Sequence, residues 1–240
     1  MHSDSEVQKF YLDARAHISD FRNAASVLLD KDLSDDSEEL IKKYRTLLAF
    51  DFEAAVRLKH WESLCEILYE SRQVADDTLY GLFADCILCS DCPTEEIVKI
   101  FEIIIQAYHK TKPQNIDKVS RWIRCAFQLS IESSPEAAES VLDQAYILAR
   151  DGPEYQNQRP DEEIVQGAGS SSTQLAYPNE ELEWLATTAF NHAIDLYLAS
   201  DDTASRRWYG KALDLARLLH DNGGLWQILQ EKFGRLSWDD

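Results

Sequence analysis

The sequence predicts an all-α protein, an α-solenoid of antiparallel helix hairpins. Three observations carry this. Apolar residues recur at three- and four-residue steps in ten separate stretches. The breaks between most of these stretches are only a few residues long, which leaves neighbouring helices antiparallel. Leu and Ala are the commonest residues, while Val, Ile and Thr form no alternating runs, so helix is favoured over strand.

The first helix covers residues 5–30, with Phe10, Ala14, Ile18, Phe21 and Ala25 on one apolar face. The acidic break "DLSDDSEEL" follows. Ser34 to Ser37 supply N-cap residues for the next helix, and Glu38 and Glu39 suit its N-terminal dipole. Helices are then predicted at 38–57, 61–71, 76–90, 94–111, 116–131, 135–150, 179–199, 202–219 and 224–235. "HKTKPQN", "ESSPE", "ASDDT" and "DNGG" punctuate them with Pro, Gly and short polar side chains.

Residues 151–178 differ from every other break. They hold three Pro, three Gly and a Gly-Ser tract, and a connection of this length is uncommon inside a compact domain. The sequence therefore divides into helical hairpins over 1–150, a mobile insertion over 151–178, and a final hairpin with a capping helix over 179–240. "GAGSSS" is not a phosphate loop, because no strand precedes it and no Lys-Ser/Thr follows.

Composition narrows the function. The formal charge is −19, with acidic residues spread along the whole chain. Such a surface repels phosphate backbones and disfavours direct nucleic-acid binding, whereas a basic peptide is its electrostatic complement. No apolar run reaches the roughly 18 residues of a membrane span, and no secretory pattern precedes Ser3. Five cysteines without a disulfide-like framework fit a reducing compartment.

The chemical motifs are incomplete. Cys86, Cys89 and Cys92 stand at C-x2-C-x2-C, but zinc takes four ligands, and Cys86 and Cys89 also fit the buried face of a helix. "DDSEE" at 35–39 resembles a magnesium-binding acidic cluster, yet it sits where a helix begins and no second metal motif follows. The histidines are isolated, and no nucleophile, base and orienting group come together. The expectation is a non-enzymatic protein with no cofactor and no metal.

A repeat gives the array its register. Ala126, Leu129, Ala138, Leu142 and Ala145 have the same spacings as Ala193, Leu196, Ser205, Tyr209 and Ala212. Both sets alternate small and large residues, as hairpins require where two helix backbones approach closely. Tyr80 and Ala84, with Ile97, Phe101 and Ile104, form a weaker copy after a one-residue slip. The pattern resembles the tetratricopeptide (TPR) repeat, with Trp122 at that family's aromatic position and Ala189 as a departure there.

Residues 177–219, "YPNEELEWLATTAFNHAIDLYLASDDTASRRWYGKALDLARLL", further resemble the fungal Zip-four (Spo-twenty-two) family of meiotic TPR scaffolds. Phe190-Asn191, Tyr197, Trp208 and "KALDLARLL" stand at the matching places, with Phe190 where many members have Trp. The resemblance implies a scaffold on meiotic chromosomes in the nucleus, and a chain that is the C-terminal portion of a longer protein. It implies a role in crossover recombination and synaptonemal complex assembly. Its partners would be an XPF-like protein complex and synaptonemal-complex central-region proteins. The TPR resemblance, for its part, implies a partner-binding groove lined by Thr187, Phe190, Asn191, Ile194 and Tyr197. A TPR adaptor in trafficking or a chaperone system is the alternative. The chaperone clamp needs basic groove residues, and none lies close to Asn191.

Limited proteolysis checks the predicted organisation. The first cut is expected within 151–178, with the flanking hairpins still associated afterwards through their apolar faces. A first cut within 118–149 contradicts it.

Overall fold

The computed structural model describes residues 4–29, 36–111, 116–151 and 176–237. Ten helices and no strand occur among them. They are α1 (Asp4–Leu29), α2 (Asp36–Arg57), α3 (Trp61–Ser71), α4 (Asp77–Leu88), α5 (Thr94–Thr111), α6 (Ile116–Ser130), α7 (Pro135–Arg150), α8 (Asn179–Leu198), α9 (Asp202–Ala216) and α10 (Gly224–Phe233). The all-α class follows directly. No described helix is long and apolar enough to cross a membrane.

The chain divides into two compact units, Met1–Ala107 and Tyr108–Asp240. The sequence places its division later, after residue 150. The reason for the difference is that α6 and α7 pack against α8 and α9, so the hairpins on either side of 152–175 belong to one unit. The predicted insertion otherwise lies outside the described residues. Its last residues do not belong to it: Tyr177 is buried, and Pro178 stands at the N-cap of α8.

In the first unit, α1 runs antiparallel to α2. Arg15 meets Asp51 at 2.7 Å and reaches His60 beyond the end of α2, while Phe21 packs on Tyr44 near its start. Asp51 is only 2% exposed and is held by Arg22 as well, at 2.8 Å. Arg22 also pairs with Glu70, to which the Tyr44 hydroxyl donates. This network ties α1, α2 and α3 together. Phe10 is the exception to the expected face, being 68% exposed.

Helices α2 and α4 run parallel. Arg45 bonds Asp76, the N-cap of α4, at 2.8 Å. Between their ends Phe52 and Phe83 pack with tilted rings, 4.4 Å between centroids. Lys59 and Asp91, each just beyond the end of its helix, form an ion pair. Helix α5 buries Ile97, Val98, Ile100, Phe101, Ile104 and Ile105, which leaves few positions for solvent.

The second unit contains two hairpins, α6–α7 and α8–α9, followed by α10. Asp201 caps α9, accepting from the Ala204 N–H at 3.0 Å, as the "ASDDT" break leads one to expect. The turn into α10 uses Asn222 and Gly223 at positive φ, with Asp221 accepting from the N–H groups of Gly223 and Leu225. The repeat residues Ala126, Ala138, Ala145, Ala193, Ser205 and Ala212 are all fully buried. Ser205 Oγ donates to the Ala193 carbonyl at 2.7 Å, so the two backbones of α8 and α9 lie close at this point. Helices α7 and α9 are linked by Arg207–Glu139 at 2.8 Å and Lys211–Asp143 at 2.5 Å. Both pairs are 68 residues apart, one more than the offset of the sequence repeat. Phe127 packs edge-on to Trp184 and against Trp208, which fills the space between the hairpins.

Ser205 supplies the stability test. Ser205→Ala loses one buried hydrogen bond and should cost about 1 kcal/mol. Ser205→Leu must push α8 and α9 apart and should cost about 2–3 kcal/mol. Denaturant unfolding of the two variants measures the difference, and equal costs would show that the helices do not meet there.

Candidate functional site: the groove between α2 and α4

An open groove of about 880 Å3 lies along the two parallel helices α2 and α4. Its walls are helical stripes. On α2 they are Lys42, Thr46, Ala49, Glu53 and Arg57, at steps of three or four residues with Phe50 beside Ala49, and on α4 Thr78, Leu82 and Asp85, with Cys89 at its C-cap. Val56 and Leu79 are buried and form part of its floor. Phe50 and Leu82, by contrast, stand 57% and 50% exposed. Two large apolar side chains facing water across one groove are a costly arrangement for an unpartnered surface, and such patches mark interaction sites.

The charges around the groove are mostly neutralised. Arg45 is engaged by Asp76 and by the Val74 carbonyl, Lys59 holds Asp91, and Arg57 lies 4.0 Å from Glu53. Lys42 and Asp85 have no ion pair among the described residues.

Two cysteines of the C-x2-C-x2-C motif, Cys86 and Cys89, line this groove. Cys86 lies on α4, Cys89 is its C-cap, and Cys92 follows in the loop. Cys86 is half-buried, Cys89 exposed and Cys92 buried. Burial pushes the thiols of Cys86 and Cys92 up to about 11, with Glu53 and Glu96 respectively adding to the rise. No group of three His, Cys, Asp or Glu side chains converges on one point among the described residues. The "DDSEE" run lies partly outside those residues. Of its carboxylates, Glu39 pairs with Lys43 at 2.8 Å on the surface of α2.

The five residues expected to line a groove on α8 do not form one continuous presented surface. Asn191 is exposed. Thr187 turns its hydroxyl back to the carbonyls of Glu183 and Trp184. Ile194 is half-buried, and Tyr197 donates its hydroxyl to the Ser237 carbonyl at 2.5 Å. Phe190 corrects the expectation outright, being 5% exposed. Its ring meets Tyr209 of α9 edge-on, and Tyr209 stacks on Phe233 of α10 at 3.6 Å. Helix α10 and the residues after it occupy the side of the hairpin that the repeat pattern assigned to a partner. His192, next to Asn191, packs on Trp208 at 4.4 Å, and burial lowers its basicity against the opposing pull of Asp195 and Glu139.

Sequence reasoning missed the α2–α4 groove. Its one available signal was the breadth of the apolar arcs. Leu47, Leu48, Phe50 and Phe52 cannot all face one neighbour, nor can Tyr80, Leu82, Phe83 and Leu88. Which of them remain exposed depends on where the neighbouring helices stand.

No protein-family model matches the chain, nor does any curated protein or solved structure.

Two measurements follow from these environments. Phe190→Ala should cost about 3 kcal/mol, whereas Asn191→Ala should change stability by less than about 0.5 kcal/mol, as thermal or denaturant unfolding reads. At pH 8 Cys89 should be alkylated before Cys86 and Cys92. The rates at Cys86 and Cys92 should then climb about tenfold per pH unit until pH approaches 11, because the thiolate is the nucleophile. Mass spectrometry of the modified peptides checks the order.

Proposed function

We propose that this chain is a non-enzymatic protein-interaction scaffold, a TPR-like array whose groove between α2 and α4 holds a segment of a partner protein. The open apolar groove with Phe50 and Leu82 exposed carries the reading. A binding surface needs a few large apolar anchors within a polar rim, and the stripes provide that arrangement. The parallel placement of α2 and α4 supports the array, as do the two α7–α9 ion pairs that follow the repeat offset.

The resemblance of residues 177–219 to the Zip-four family gives the scaffold its proposed setting. That setting is the meiotic chromosome, with an XPF-like complex and synaptonemal-complex central-region proteins as partners. Asn191, exposed on α8, is a secondary contact in this reading, while Phe190 serves the core. An adaptor in an unrelated pathway would use the same groove with a different partner.

The immobilised chain should recover the XPF-like complex from meiotic extract, identified by mass spectrometry. Phe50→Ala/Leu82→Ala should lower that recovery by at least about tenfold. Its melting temperature should stay unchanged, because both side chains are largely outside the core. Recovery unaffected by the double substitution removes the groove from the function.

A further inference from the structure

The groove specifies what it takes. We infer that its occupant is an amphipathic helix of about three turns with a lysine or arginine set against Asp85; this rests on reading the groove as a partner site. The walls are α-helices, whose backbone N–H and C=O groups are already bonded within each helix. They offer no ladder for an extended peptide, so the contact is made by side chains alone. A helix laid between two parallel helices meets both stripes with its own three- and four-residue spacing. From Thr78 to Cys89 the α4 stripe covers about 16 Å, the length of roughly three turns. Phe50 and Leu82 then receive the apolar face.

The charge follows from which groups are already satisfied; of the two charged lining groups without an ion pair among the described residues, Lys42 stands at the far end of the groove, ahead of the Arg45–Asp76 pair, and Asp85 lies beside the apolar anchors. Asp76, Asp91 and Glu53 each have a basic neighbour, so they ask nothing of a ligand. Asp85 is the lining carboxylate with no ion pair among the described residues, and it follows Leu82 on the same stripe. It also lies in the last turn of α4, where the helix dipole adds to the preference for a cation. A basic residue one turn from the apolar anchor of the occupant would reach it. The charge of −19 draws such a segment from a distance but does not place it.

Two synthetic helical peptides of about fourteen residues test this with the full chain. They share one leucine face and differ only in flanking lysines or glutamates, and fluorescence polarisation reads their affinities. The lysine peptide should bind about tenfold more tightly than the glutamate peptide. Asp85→Lys should remove most of that preference, whereas Glu132→Lys, an equal charge change on the exposed α6–α7 turn, should leave it. Phe50→Ala/Leu82→Ala should weaken both peptides. Equal affinities, or equal effects of Asp85→Lys and Glu132→Lys, overturn the assigned charge while the groove reading stands. Lysine-peptide binding that ignores Phe50→Ala/Leu82→Ala, or no binding of either peptide, overturns the groove itself.

Discussion

The close approach of α8 and α9 at Ala193 and Ser205 is the constraint on which the second unit depends. A side chain of one or two heavy atoms is all that fits where the Ser205 hydroxyl reaches the Ala193 carbonyl at 2.7 Å. Once those backbones are fixed, the large residues on either side have fixed destinations. Trp208 turns toward Phe127 of the preceding hairpin, and Tyr209, the next residue, turns toward Phe233 of α10. Neighbouring positions on a helix point about 100° apart, so one helix serves two interfaces. A larger residue at 205 would spoil both at once.

The first unit uses a different device at the same level of control. Asp51 is buried at 2% exposure, and a carboxylate can be held there only with its charge compensated. Arg15 and Arg22, two turns apart on α1, provide that compensation and fix how α1 lies on α2. The arginines are partly exposed, so the network's contribution lies more in registering α1 than in raw stability. With α1 and α3 on its other sides, α2 keeps one stripe for α4 and the groove, and that stripe carries Phe50.

The groove and the α8 surface contrast in how their apolar residues are used. Phe190 is covered by Tyr209 of α9, on which Phe233 of α10 stacks, and Tyr197 is tied to the Ser237 carbonyl, so that hairpin is already capped by its own polypeptide. Phe50 and Leu82 have no such cover among the described residues. Of the cysteines beside them, Cys86 is half-buried, and burial raises its thiol to about 11.

The helices themselves were legible from local pattern: all ten observed ones begin and end within three residues of the periodic stretches, because periodicity, capping residues and Pro/Gly breaks act over a few neighbouring positions. The small-residue repeat was legible for the same reason, since Ala193, Ser205 and Ala212 answer to the hairpin they belong to. The sequence by itself therefore determined the all-α class, the helix bounds and the positions of closest approach. Only the tertiary structure decided which apolar residues remain outside. Phe10 is exposed on α1, Phe190 is buried with its ring against Tyr209 of α9, and Phe50 and Leu82 stay open across a groove between two parallel helices. Exposure is a property of what lies opposite a residue, and what lies opposite is set by contacts tens of residues away in the chain.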